Sequence, residues 1–66
     1  MSLGSRHSEV GLLLRESDWL ILQRDDGGRW RLDAEVGAER LLGRRVRVEA
    51  VRSGFDLLDV RHIAPC

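Results

Sequence analysis

The chain is poor in the devices that usually hold a small protein together. Among 66 residues there is one cysteine, Cys66, and it is the last residue, so no internal disulfide can form. A single thiol without a bridge framework suits a reducing cytoplasm. There is one proline, Pro65, and no lysine, so all eleven basic residues are arginines. No internal repeat, low-complexity tract or linker interrupts the sequence. No long apolar run precedes Val10, which argues against a signal peptide or a transmembrane helix and hence against a membrane partner. Residues 1–7 read as a flexible tail, and residues 8–64 as one domain.

The catalytic vocabulary is equally thin. Gly27-Gly28 and Ser53-Gly54 lack the following helix and the lysine of a phosphate-binding loop. Ser8, Ser17 and Ser53 have no histidine or cysteine neighbour pattern of a nucleophile. His7, His62 and Cys66 lack the compact spacing of a structural zinc site. Asp25 and Asp26 are too few oxygens for calcium and are explained by turn chemistry. Asp56 and Asp59 would need a cleft to split their proton affinities before doing acid–base work. The expectation is therefore no enzyme, no metal and no cofactor.

Acidic and basic residues balance at eleven each. A neutral domain lacks the basic footprint with which proteins capture nucleic acid. Arginine alone among the cations offers planar bidentate pairing to carboxylate or phosphate, although compositional bias accounts for its exclusive use as well.

What the sequence does contain is two-residue periodicity. Val10, Leu12 and Leu14 alternate through a first strand over residues 8–15, and Glu16-Ser17-Asp18 is a polar turn. A second strand runs from Trp19 to Arg24 with Leu20 and Leu22 on one face. Asp25-Asp26-Gly27-Gly28 marks a hairpin, because glycine supplies the positive φ that tight turns need. A third strand, Arg29 to Asp33, places Trp30 and Leu32 opposite Arg29 and Arg31. The period then changes. Asp33 is a candidate N-cap, Ala34, Ala38, Leu41 and Leu42 fall at helical spacing, and Gly43 sits where a helix would end. Gly37 weakens that helix by about 1 kcal/mol relative to alanine, so two turns are expected. Arg44 to Arg52 alternates again, with Val46, Val48 and Ala50 inward, and Ser53-Gly54 turns the chain. Phe55 to Ile63 forms a fifth strand whose alternation slips at Leu57-Leu58, which predicts a bulge or a switch of buried face there, with Leu58, Val60 and Ile63 in the core.

Three strands, a helix and two strands is the order of a five-stranded barrel of the OB type. An SH3-like barrel would carry its helical turn between the last two strands instead. Closure removes the unpaired edges that five short strands would otherwise expose.

Several stretches carry a family likeness: Gly11, Asp26-Gly27-Gly28-Arg29-Trp30-Arg31-Leu32, Leu42-Gly43-Arg44-Arg45-Val46-Arg47-Val48, and Arg52 through Val60. From Val10 to Ile63 the chain resembles a group of short uncharacterised bacterial proteins classed as a domain of unknown function with an OB-like barrel. The resemblance implies a fold and brings no catalytic residue with it.

A surface is the better functional candidate. If Leu20 and Leu22 face the core, Trp19 and Ile21 face outward beside Arg29 and Arg31, with Gln23 nearby and Arg47 as a further cation. The outer face of strands two and three is the usual ligand platform of OB folds. An apolar spot ringed by charge suits a protein partner or a second copy of the chain. The alternative is weak single-stranded nucleic-acid binding by stacking on Trp19, disfavoured by neutral charge and by very short hairpin turns. In the inverted register Trp19 is core and the face is bare.

Overall fold

The computed structural model describes residues 4–66. The chain forms β1 (Arg6–Glu16), β2 (Trp19–Arg24), β3 (Arg29–Asp33), a short 3₁₀ helix η1 (Val36–Leu41), β4 (Arg45–Arg52) and β5 (Leu57–Pro65). The strands pair in the order β1-β2-β3-β5-β4, and β4 returns to β1, so the five-stranded sheet closes in a ring. Every contact in the ring is antiparallel except β3 with β5. None of the helices among the described residues is long and apolar enough to cross a membrane.

Closure depends on β1, which is longer than the alternation predicted. Its first half pairs β4 and its second half pairs β2, and Gly11 and Leu12 pair with both. Gly11 is the pivot. A Cβ at that position would lie 2.2 Å from the Gln23 carbonyl oxygen, so no side chain fits where the neighbouring strand crosses. This fixes the facing of the whole strand. Gly11 and Leu13 are buried, whereas Leu12 is 39% exposed and lies opposite Gln23 on the outside. The alternating set Val10, Leu12 and Leu14 therefore lies on the outer face, and the buried positions are one residue away from it. The strand also begins at Arg6, so the expected tail is partly sheet. Gly4 N–H donates to Arg52 O at 2.7 Å, and Arg52 N–H donates to Ser5 O at 2.8 Å. Residues 1–3 of that tail lie outside the described residues.

The remaining strands follow their alternation closely. Val46, Val48 and Ala50 are buried, with Arg45, Arg47 and Glu49 exposed between them. Leu13, Leu22, Leu32, Leu41, Val46, Val48, Ala50 and Leu58 form one cluster, and Leu20, Trp30, Leu42, Val60 and Ile63 pack against it. The bulge lies three residues beyond the predicted slip. Glu49 pairs with His62 but Ala50 with Val60, which leaves Arg61 unmatched. That extra residue is why Leu58, Val60 and Ile63 all turn inward despite their uneven spacing. Phe55 is not in β5 but in the loop before it.

The predicted two-turn helix is a six-residue 3₁₀ segment. Ala38 N–H to Glu35 O, Leu42 N–H to Glu39 O and Arg44 N–H to Leu41 O are all three-residue bonds. Ala38 and Leu41, three apart, eclipse on one side of such a helix, and both are buried. Asp33 is not the cap. It ends β3, and Glu35 at the N-cap position makes no side-chain cap bond. Gly43 does take the left-handed conformation, φ +81, just after the segment.

Candidate functional site on the outer face of β2 and β3

Antiparallel partners share a face, so the register of β1, β2, β3 and β5 defines what the outer surface carries. Leu14 lies opposite Ile21, Ile21 opposite Arg31, and Arg31 opposite Leu57 in one row. Glu16 lies opposite Trp19, and Gln23 opposite Arg29. The structure therefore brings Trp19, Ile21, Gln23, Arg29 and Arg31 onto one face as expected. Arg47 is not there. It stands on β4, paired with Val10 and Ala64, and β4 is the ladder neighbour of neither β2 nor β3.

Ile21 points away from the central cluster yet is only 6% exposed, because its outer-face neighbours cover it. Trp19 is 38% exposed, outside the core. The Arg31 guanidinium lies over the Trp19 ring at 4.9 Å from its centroid. Both Nε and one terminal nitrogen of Arg31 donate to Asp56 Oδ1, at 3.0 and 2.8 Å, and the Arg31 amide donates to the Asp56 carbonyl at 2.8 Å. Arg31 is thus held at backbone and side chain by one residue of the β4–β5 loop. On the other side Arg29 is ion-paired with Glu16. Between these pairs runs a groove of about 370 Å³, lined by Trp19, Ile21 and Trp30. Trp19 also borders a second depression of about 270 Å³ towards η1, which the Arg15–Glu39 pair at 2.6 Å flanks.

The β4–β5 loop adds an aromatic that the sequence reading assigned to a strand. Phe55 is 87% exposed. Arg52 lies between the Phe55 and Trp30 rings, 5.9 and 6.0 Å from their centroids. It donates from Nε to Gly54 O at 3.0 Å and from a terminal nitrogen to Phe55 O at 2.7 Å.

A polar chain of a different kind runs along the inward side of β1. Ser5 Oγ lies 3.1 Å from His7 Nε2, His7 Nδ1 lies 3.2 Å from Glu9 Oε2, and Arg24 Nε is ion-paired with Glu9 Oε1 at 3.3 Å. Serine, histidine and carboxylate in that order are the connectivity of a hydrolytic triad. Acyl transfer also needs amide donors aimed at the oxyanion. The nearby amides of Gly4 and Arg52 are both spent on ladder carbonyls. These side-chain contacts tie the first residues of β1 to Arg24 of β2, with Trp30 edge-on to His7 at 5.0 Å. A further depression, about 560 Å³ over Arg6, His7, Ser8, Glu49 and Arg61, is bordered by charge and has no tryptophan or phenylalanine in its wall. Among the described residues no group of three metal-ligating side chains comes together.

The sequence model of one family, described as "Protein of unknown function (DUF5818)", matches residues 10–66. The chain belongs to that family. The matched span starts just before Gly11 and covers the grooved face and the whole ring from the middle of β1 onward. No curated protein and no solved structure matches the chain.

Proposed function

We propose that the domain is a non-catalytic interaction module, working as an OB-type barrel in the cytoplasm, whose β2–β3 face docks a protein partner. The observation that carries this reading is the internal neutralisation of the face. Both arginines beside the groove already have carboxylate partners within the chain, Arg31 with Asp56 and Arg29 with Glu16. A phosphate chain would have to compete with those pairs, whereas an apolar side chain settling between Trp19 and Ile21 leaves them intact. Small grooves with aromatic walls and a satisfied polar rim match the anatomy of protein-binding patches.

The test is a charge insertion at the exposed tryptophan. Trp19→Glu should abolish concentration-dependent or partner-dependent mass in sedimentation velocity while the far-ultraviolet spectrum stays unchanged. A wild-type chain that stays monomeric and captures nothing in a Trp19-dependent way would overturn the reading.

A second reading, single-stranded nucleic-acid binding, gains support from Phe55, an open ring in the loop next to the groove residue Asp56. Stacked bases contribute about 1–3 kcal/mol each on such platforms. Quenching of tryptophan fluorescence by an oligonucleotide at low salt, reversed by added salt, would establish it. Absence of quenching at low salt would remove it.

A further inference from the structure

We infer that the partner of the β2–β3 groove is a second copy of this chain, with Phe55 of each copy seated in the other's groove. The inference rests on the docking reading above and names its occupant.

Phe55 is the most exposed large apolar side chain among the described residues, and it is not exposed through slackness. Arg52 grips the carbonyls on either side of its backbone position and lies against its ring. Ser53 and Gly54 amides both donate to Leu57 O, at 2.9 and 3.2 Å, which closes the loop at its base. A Cβ on Gly54 would stand 3.0 Å from that of Leu57, so the loop is packed as well as bonded. An aromatic knob held rigidly in solvent loses little freedom on binding, which is the property of an interface anchor.

The receptor adjoins the knob. Asp56, the next residue, lines the groove, and the groove is roomy enough for one aromatic ring between Trp19 and Ile21. Phe55 does not line the groove of its own chain, which leaves that groove to be filled from outside. Knob and groove side by side on one surface are related to a second copy by a two-fold axis that exchanges them reciprocally. Such a contact closes at two rather than growing into fibres.

Charge fits the same pairing. The rim carries one arginine–carboxylate pair on each side, Glu16 with Arg29 and Asp56 with Arg31, so a second copy meets paired charges at the rim. The whole chain has equal numbers of acidic and basic residues, so two copies feel no net repulsion on approach. A 66-residue domain with no disulfide is also the kind that gains most from added buried area.

Sedimentation equilibrium of the full chain is the experiment, with Phe55→Ser, Phe55→Leu and Trp19→Ala as variants. Wild type should rise with concentration from 7.5 kDa towards twice that mass and no further. Phe55→Ser should stay at the monomer mass, and Phe55→Leu should keep most of the association. Phe55 is solvent-exposed, so these variants fold, and circular dichroism checks it. A mixing measurement separates reciprocal exchange from any other dimer. Phe55→Ser and Trp19→Ala each lose both knob–groove pairs as homodimers, but their mixture regains one, so mixed dimers should form where neither variant associates alone. A strictly monomeric wild type, or Phe55→Ser associating like wild type, overturns the inference. A monomeric wild type that still captures another protein through Trp19 overturns the inference alone and leaves the docking reading standing. Oligonucleotide binding without any protein contact overturns both.

Discussion

The most demanding prediction concerns Gly11→Ala. A methyl group there would sit 2.2 Å from Gln23 O and 2.8 Å from Gln23 C, against 3.4 Å or more for ordinary contact. The obstacles are backbone atoms of β2, so β1 and β2 would have to part locally by more than an ångström. Overpacking of that kind costs about 1–3 kcal/mol. Separation also stretches the ladder at Gly11–Arg24 and Leu12–Gln23, with about 0.5–1.5 kcal/mol lost for each hydrogen bond broken. With one bond lost at each position the total is about 2–6 kcal/mol, comparable to the whole stability of about 3–5 kcal/mol that one small core supplies. Urea unfolding followed by tryptophan fluorescence should therefore show Gly11→Ala largely unfolded without denaturant, or with its midpoint lowered by about 2 M at a slope of about 1 kcal/mol per molar. Gly27→Ala is the control. Gly27 has φ +95 but open space around a Cβ, so it should lose only the about 1–2 kcal/mol of left-handed strain. A Gly11→Ala midpoint within about 0.3 M of wild type, or equal losses at both glycines, would refute the argument that close strand approach at Gly11 shapes the ring.

Other substitutions probe the remaining contacts. Leu58→Ala empties a fully buried position where β3, β4 and β5 meet and should cost about 2–5 kcal/mol, seen as loss of the cooperative thermal transition. Asp33→Ala should change the urea midpoint by less than the equivalent of about 0.5 kcal/mol, because Asp33 caps nothing, whereas a helix N-cap would lose about 1 kcal/mol. Asp56→Asn should release Arg31 and convert a neutral rim into a basic one. Oligonucleotide affinity at low salt should rise, and the slope of log K against log salt should steepen by about 0.7 if one more phosphate is met. Arg47→Ala should leave both self-association and oligonucleotide titrations at wild-type values, since Arg47 stands on β4 away from the groove.

Strand existence and order were legible in the sequence wherever one face is buried and the other wet. β4 is the clear case: Val46, Val48 and Ala50 turn inward between Arg45, Arg47 and Glu49, as alternation alone predicts. β1 defeated the same reasoning because leucines at 12, 13 and 14 occupy both faces, so hydrophobicity cannot choose between them. The choice is made by Gly11, whose missing side chain matters only once a second strand lies across it. The slip in β5 was visible as a broken alternation, but its position depends on the β4 partner and falls at Arg61. The helical spacing of residues 34–42 was real in Ala38 and Leu41 and misleading in period, because three residues per turn place both side chains on one side within six residues.

The candidate face shows the same division more sharply. That Trp19, Ile21, Arg29 and Arg31 share a surface follows from a period of two and needed only the correct parity of β2. Whether that surface attracts phosphate or protein depends on who neutralises the arginines, and that is a matter of topology. Arg31 meets Asp56, 25 residues away, because β3 runs parallel to β5 and the loop leading into β5 therefore passes the outer edge of β3. Arg29 meets Glu16 across the width of β2, 13 residues away. Eleven arginines against eleven acids could be arranged as a basic stripe and an acidic one, with the same composition and the same fold. Here the acids stand beside the arginines of the exposed aromatic face. Net charge alone thus understates the case against nucleic acid, since it is the local cancellation around Trp19 that removes the field a phosphate chain would follow.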